Sequence, residues 1–131
     1  MGSFSDYWEN GVLDHLFSKS SYTPPTIYVG LSTADPGDNG AGLSEPSGNG
    51  YARAPTAASD WNAAAGGLLD NANAIAFNAA TGDWGTLTHF ALFDAAVSGN
   101  MLAHGALTQA KTIGSGDTAR FAAGDLDVTL D

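Results

Sequence analysis

The hydrophobic pattern is most distinctive between Gly82 and Asp94. A Gly-Asp-Trp-Gly turn opens a stretch that then runs without Gly, Pro, Asn or Asp until Asp94 closes it. Even positions carry Thr86, Thr88, Phe90 and Leu92; odd positions carry Leu87, His89, Ala91 and Phe93. Two largely apolar faces mark a strand covered on both sides, so this stretch is expected to be the central strand. Thr26–Ser32 places Ile27, Val29 and Leu31 on one face and reads as a second strand. Tyr51–Ala54, Ala72–Phe77 and Met101–Leu107 follow as shorter ones, with Trp61 at a possible sheet edge. Lys111–Ile113 and Thr118–Phe121 read as the arms of a hairpin around Gly-Ser-Gly-Asp. In the last strand Leu126, Val128 and Leu130 alternate with Asp127, Thr129 and Asp131. About eight short strands separated by Gly, Pro, Asp and Asn turns predict a mainly β fold, an antiparallel β-sandwich or jelly-roll-like domain.

The helical period occurs once, from Ser3 to about Phe17. Ser3 or Ser5 is placed to cap it, and Asp6 and Glu9 fall in the early turns where the macrodipole favours acids. Gly11 in its middle costs roughly 1 kcal/mol of helix propensity. One apolar face runs through Phe4, Trp8 and Val12, another through Trp8, Val12, Leu16 and Phe17. One narrow contact does not cover both. The helix therefore either folds back on the sheet alone or also buries its second face on another subunit. This gives a short N-terminal α-helix in a helical segment 1–20, followed by one β-sandwich domain over 21–131. Removing residues 1–17 is then expected to leave a soluble domain. Residues 32–50 form a Gly/Pro-rich loop too long to be structureless in a compact domain without a contact role. Leu43 and Tyr51 join Phe4, Trp8, Val12, Leu16 and Phe17 as candidate partner-binding residues.

Charge narrows the function classes. Four Lys and Arg stand against 14 Asp and Glu in 131 residues, a formal net charge of -10. Lys19, Arg53, Lys111 and Arg120 are scattered, so the clustered cations that nucleic-acid binding requires are missing. Cysteine is absent, which leaves no disulfide framework or thiol nucleophile. Residues 4–17 carry Asp6, Glu9 and Asp14 and do not read as a signal peptide, and no window is apolar enough to span a membrane. The expectation is a chain made as a soluble protein in the cytoplasm.

Catalytic constellations are thin. His89 and His104 fall in neighbouring predicted strands, but neither has a carboxylate at a ligand spacing, and His15 lies in the helix. Ser115 sits between two glycines at a hairpin turn, not at a strand-to-helix elbow. Asp35 and Asp38 in Asp-Pro-Gly-Asp-Asn-Gly offer oxygen ligands to a hard cation, yet these are also the common turn residues. Trp8, Trp61, Trp84 and the tyrosines either fill the core or form a shelf for carbohydrate. The reading is a non-enzymatic chain with no cofactor.

Three separated motifs add a resemblance. Tyr22-Thr-Pro-Pro-Thr-Ile-Tyr-Val-Gly-Leu-Ser-Thr-Ala-Asp-Pro-Gly with Glu45-Pro-Ser-Gly-Asn-Gly-Tyr-Ala-Arg53 is the first. Ala80-Thr-Gly-Asp-Trp-Gly-Thr-Leu-Thr-His-Phe-Ala-Leu-Phe-Asp-Ala95 is the second, and Gly116-Asp117 with Phe121, Gly124, Leu126, Val128 and Leu130 the third. In this order they resemble a family of small tailed-bacteriophage proteins commonly labelled tail fibre protein. The resemblance implies a structural protein of the virion, in the tail or as capsid decoration, that binds other virion subunits and forms homo-oligomers. It implies no catalytic residues. Without heptad, collagen-like or β-helical repeats the chain does not read as a long fibre shaft.

Overall fold

The computed structural model describes residues 2–130. The chain is mainly β with one short helix near its N-terminus, and its principal sheet is curled. In chain order the elements are β1 (Gly2–Phe4), α1 (Asp6–Leu16), β2 (Tyr28–Ser32), β3 (Ala54–Pro55) and a 3-10 turn (Ala58–Asp60). Then come β4 (Leu68–Asp70), β5 (Ile75–Ala76), β6 (Gly85–Phe93), β7 (Met101–Ile113), β8 (Arg120–Phe121) and β9 (Asp127–Thr129). Seven strands form one sheet in the order β3-β2-β6-β7-β1-β9-β4, and β5 pairs with β8 in a separate ribbon. The pairs are antiparallel except β1 with β9, which is parallel.

β6 lies inside the sheet and is covered on both faces, as its pattern predicts. It is paired to β2 on one side and β7 on the other, with Phe90 opposite Leu31 and Gly105. Phe90, Ala91, Leu92 and Phe93 are all buried. Phe90 also meets Phe121 of the ribbon edge-to-face at 6.1 Å. From there Phe121 touches Phe77, which contacts Trp84 and Tyr51 in turn. These rings bind the ribbon and the loops to one face of the sheet, adding roughly 0.5–1.5 kcal/mol per pair beyond their buried area.

The N-terminus departs from expectation. Residues 2–4 extend as β1 between β7 and β9, and the helix begins only at Asp6. Ser5, not Ser3, is the cap: its Oγ accepts the Trp8 N–H at 3.3 Å and donates to the Met101 carbonyl at 2.6 Å. Only glycine fits at position 2, because a Cβ there would stand 2.5 Å from Phe90 Cζ and 2.8 Å from the His104 carbonyl oxygen. A deletion of residues 1–17 therefore removes a strand of the sheet, and a soluble, folded remainder is no longer the expected result.

The expected hairpin at 111–121 does not form either. Lys111–Ile113 continue β7 and pair with β6, while Arg120–Phe121 pair with β5. The 114–118 turn instead ties back to Ala80, through Gly116 N–H to the Ala80 carbonyl at 2.7 Å and Ala80 N–H to the Asp117 carbonyl at 2.8 Å. β4 has no counterpart among the expected strands, because Leu68–Asp70 has too little alternation to register. Its neighbour Asn71 is fully buried. That side chain donates to the Asn73 and Ala122 carbonyls and accepts the Leu126 N–H, each at 2.9 Å, so burial leaves no atom of the amide unpaired.

Replacing Phe90 by Ala is expected to cost about 3–5 kcal/mol, a large share of the stability of a domain this size. His89→Gln, which disturbs only a bond to the Thr88 hydroxyl, is expected to cost under about 1 kcal/mol. Urea midpoints of the two variants check both, and equal losses would place the core elsewhere.

Candidate interaction surface

The first two motifs meet in space around two nodes, and the third joins the second through Gly116, Asp117 and Ala80. The first is Arg53, whose side chain is 6% exposed. Its Nε and Nη2 donate to Glu45 Oε1 and Oε2 at 3.0 and 2.8 Å, and Nη1 donates to the carbonyls of Ala95 and Ser98, both at 2.8 Å. The guanidinium carbon lies 3.4 Å from the centroid of the Phe93 ring. Tyr51 completes the node: its hydroxyl donates to Glu45 Oε1 at 2.7 Å and accepts the Leu31 N–H at 3.0 Å. Gly30 leaves the room, since a Cβ there would come within 2.8 Å of Glu45 Oε1 and of Phe93 Cε2. Burial, first of all, pushes the Tyr51 hydroxyl far above the usual tyrosine value.

The second node is Asn49, held at a φ of 54°. Its carbonyl accepts the Trp84 indole N–H at 2.9 Å and the Thr81 N–H at 2.9 Å, and its side-chain amide donates to the Asp83 carbonyl at 3.0 Å. Gly82 admits that side chain, because a Cβ would stand 2.6 Å from Asn49 Oδ1. The Gly-Asn-Gly and Gly-Asp-Trp-Gly turns thus dock on each other. The loop 32–50 is held along its length as well. Ser44 N–H donates to the buried Ser32 Oγ at 3.0 Å, Thr33 N–H to the Ser44 carbonyl at 2.9 Å and Gly42 N–H to the Pro36 carbonyl at 2.9 Å.

Helix α1 is built differently. None of its residues is buried. Trp8 and Val12 are half-buried on the inner side, Trp8 against Phe4 at 4.7 Å with its indole N–H donated to the Tyr22 hydroxyl at 2.7 Å. Leu13, Leu16 and Phe17 are 55%, 70% and 73% exposed at the other end. The candidate partner-binding residues therefore divide. Leu16 and Phe17 project outward, and Phe4, Trp8, Val12 and Leu43 are half-buried. Tyr51 faces inward into the Arg53 node. Leu13 belongs with the exposed set: it precedes Leu16 and Phe17 by three and four residues and so shares their side of the helix, although the two apolar faces read from sequence leave it out. Val97, on the 94–100 turn, and Leu130 are further exposed apolar residues. Beside the helix a groove of about 860 Å³ is lined by Phe4, Trp8, Pro24, Pro25, Trp61 and Val128, among others.

The candidate chemistry does not converge. His89 and His104 sit diagonally across the β6–β7 ladder, opposite Ala106 and Ala91. Each has its own partner, Thr88 Oγ1 at 2.8 Å and Asp38 Oδ1 at 2.7 Å. His15 Nδ1 accepts the Tyr22 N–H at 3.2 Å. Asp35 and Asp38 do not form a ligand set: Asp35 closes a local turn on the Gly37 N–H at 3.0 Å, while Asp38 reaches His104. Among the described residues no three His, Cys, Asp or Glu side chains gather as a metal site. Trp84 is core, whereas Trp8 and Trp61 line the groove. No helix among the described residues is long and apolar enough to cross a membrane.

Arg53→Met should cost about 3–5 kcal/mol, because it strands the Glu45 carboxylate against the sheet. For Tyr51 the folded chain holds its proton above the pH at which an unfolded tyrosine, near 10, releases it. Its contribution is thus full below about pH 10 and is lost as pH rises through and beyond that value. Tyr51→Phe should be less stable at neutral pH by about 1 kcal/mol yet show a shallower decline above pH 10. Parallel alkaline slopes for the two proteins in urea titrations would contradict this placement of the hydroxyl.

A search of curated proteins returned no match. A family-level comparison covers nearly the whole chain, including the first two motifs and the third through Val128. Residues 3–129 match the family described as "Podophage GP4 fiber I protein gp80", and the chain belongs to this family of podophage fibre proteins.

Proposed function

We propose that the chain is a non-enzymatic accessory module of the podophage fibre apparatus, fastened to a neighbouring virion subunit by the C-terminal half of α1. Family membership supports a structural role in the virion. The observation that carries the attachment site is the cluster of Leu13, Leu16 and Phe17, large apolar side chains left exposed on a helix with no buried residue. Such a helix gains little from its own domain, so covering it on a partner supplies the missing burial, at about 25 cal/mol per Å² less the cost of association. The partner is a neighbouring fibre or tail subunit, further copies of this chain included. Assembly follows synthesis in the host cytoplasm and requires no disulfide, since the chain has no cysteine.

A second reading, a carbohydrate-binding or host-adsorption module, is favoured by one feature: Trp8 and Trp61 line the same groove. Glycan-array binding that Trp61→Phe weakens and Leu16→Glu leaves alone would support that reading over attachment.

Leu16→Glu combined with Phe17→Ser tests the attachment directly, since both positions are solvent-facing and the core is untouched. Thermal stability should stay within about 0.5 kcal/mol of the parent. Incorporation into purified particles should fall about tenfold, the equivalent of roughly 1.4 kcal/mol of lost contact. Undiminished incorporation would remove the helix end as the anchor, and copies located on the capsid lattice would replace the fibre reading with a decoration role.

A further inference from the structure

One stretch of backbone lies unpaired at the end of β7 remote from the helix. The β6–β7 ladder runs through His89–Ala106 and resumes at Leu87–Lys111, so Thr88 alone stands against Leu107–Ala110. On the other edge β1 reaches only as far as Gly105. Among the described residues no further segment donates to or accepts from the backbone of residues 107–112. The two outermost strands of the seven-stranded sheet offer little free edge among the described residues. β3 is two residues long and ends in Pro55, and β4 is bonded along its outer side by Asn62 and Ala65.

A groove of about 550 Å³ runs between this stretch and residues 118–121. Leu87, Phe90 and Phe121 form its apolar floor, and Lys111 and Arg120 stand on its wall with Asp125 as the acid among the lining residues. These two cations are half of the four Lys and Arg in a chain of net charge -10. Arg53 is fully engaged by Glu45, whereas Lys111 and Arg120 are exposed and make no ion pair among the described residues. An open strand edge accepts another extended chain through main-chain bonds, and the adjoining pocket selects its side chains. A lysine on that edge opposes pairing with most strands, and an acidic strand offsets this by placing an opposite charge across the pair. Self-pairing of two such edges would bring like charges together, so the complementary occupant is not the same edge of a second copy.

We propose that the open edge of β7 receives an extended acidic segment of a neighbouring virion subunit. Its alternate apolar side chains enter the groove over Phe90 and Phe121, and its carboxylates meet Lys111 and Arg120. This rests on the reading of the chain as an assembled virion component, but it uses the end of β7 opposite the α1 contact.

Hydrogen exchange read by mass spectrometry, on the free chain and on purified particles, tests the pairing. The amides of Leu107–Ala110 should exchange about tenfold or more slowly in the particle than in the free chain. The double variant Lys111→Glu, Arg120→Glu should melt as the parent does, lose that protection and incorporate about tenfold less well. Equal exchange in the two states, with the chain incorporated, would overturn the strand-addition proposal and leave the virion role standing. Protection and incorporation undiminished by the charge reversal would overturn the acidic character of the partner. Absence of the chain from purified particles would end both.

Discussion

Much of the structure hangs on one buried cation. Arg53 bonds both oxygens of Glu45 and two carbonyls of the 94–100 turn, and its guanidinium carbon sits 3.4 Å over the Phe93 ring of the central strand. A buried guanidinium is tolerable only when its donors are satisfied, and this one recruits partners from segments far apart in sequence to achieve that. The long loop is thereby fixed to the sheet without a strand of its own. Gly30 is the concession on the sheet side, since any side chain there would occupy the space of Glu45 and Phe93.

The same logic accounts for the structural work that the most recognisable motifs do. Glu45, Tyr51 and Arg53 form one satisfied network, and Asn49 joins the Gly82–Trp84 turn to the loop through Trp84, Thr81 and Asp83. The third motif begins where Gly116 and Asp117 bond Ala80. Motif residues in this family member hold irregular backbone in place, which a sheet with short strands needs more than a large core does. Of the two surfaces proposed for binding, the exposed end of α1 lies away from them, whereas the groove beside the far end of β7 is floored by the motif residues Leu87, Phe90 and Phe121.

What the sequence discloses follows from how local the cause is. β6 is legible because nine residues with two apolar faces fit a covered strand and little else, and β2 because Val29 and Leu31 alternate with residues the sheet also covers. β1 is not legible: Gly2 and Ser3 have poor strand propensity, and their placement depends on Gly105, Val128 and the Phe90 ring far along the chain. The hairpin reading of 111–121 fails for the same reason, since turn chemistry at Gly114–Asp117 is local while the pairing of Phe121 with Ile75 is not. At the candidate surface, Leu16 and Phe17 are readable from helix periodicity. Tyr51 reads as a surface residue because a Gly-rich context gives no hint of its buried partners, and Leu13 is missed although its spacing to Leu16 and Phe17 puts it on their side of the helix.

On the proposed reading, the molecule divides into an internally satisfied scaffold, marked by the motifs, and attachment surfaces marked by uncovered apolar side chains and unpaired backbone. The most direct measurement of that division is the density of this chain within the intact podophage virion, resolved to side chains. Copies should lie in the fibre apparatus, with Leu13, Leu16 and Phe17 covered by a neighbouring subunit while Arg53 keeps Glu45 and the 94–100 turn as its partners. Copies whose helix end faces solvent, or a neighbouring subunit seated on the Glu45–Arg53 node instead, would contradict it.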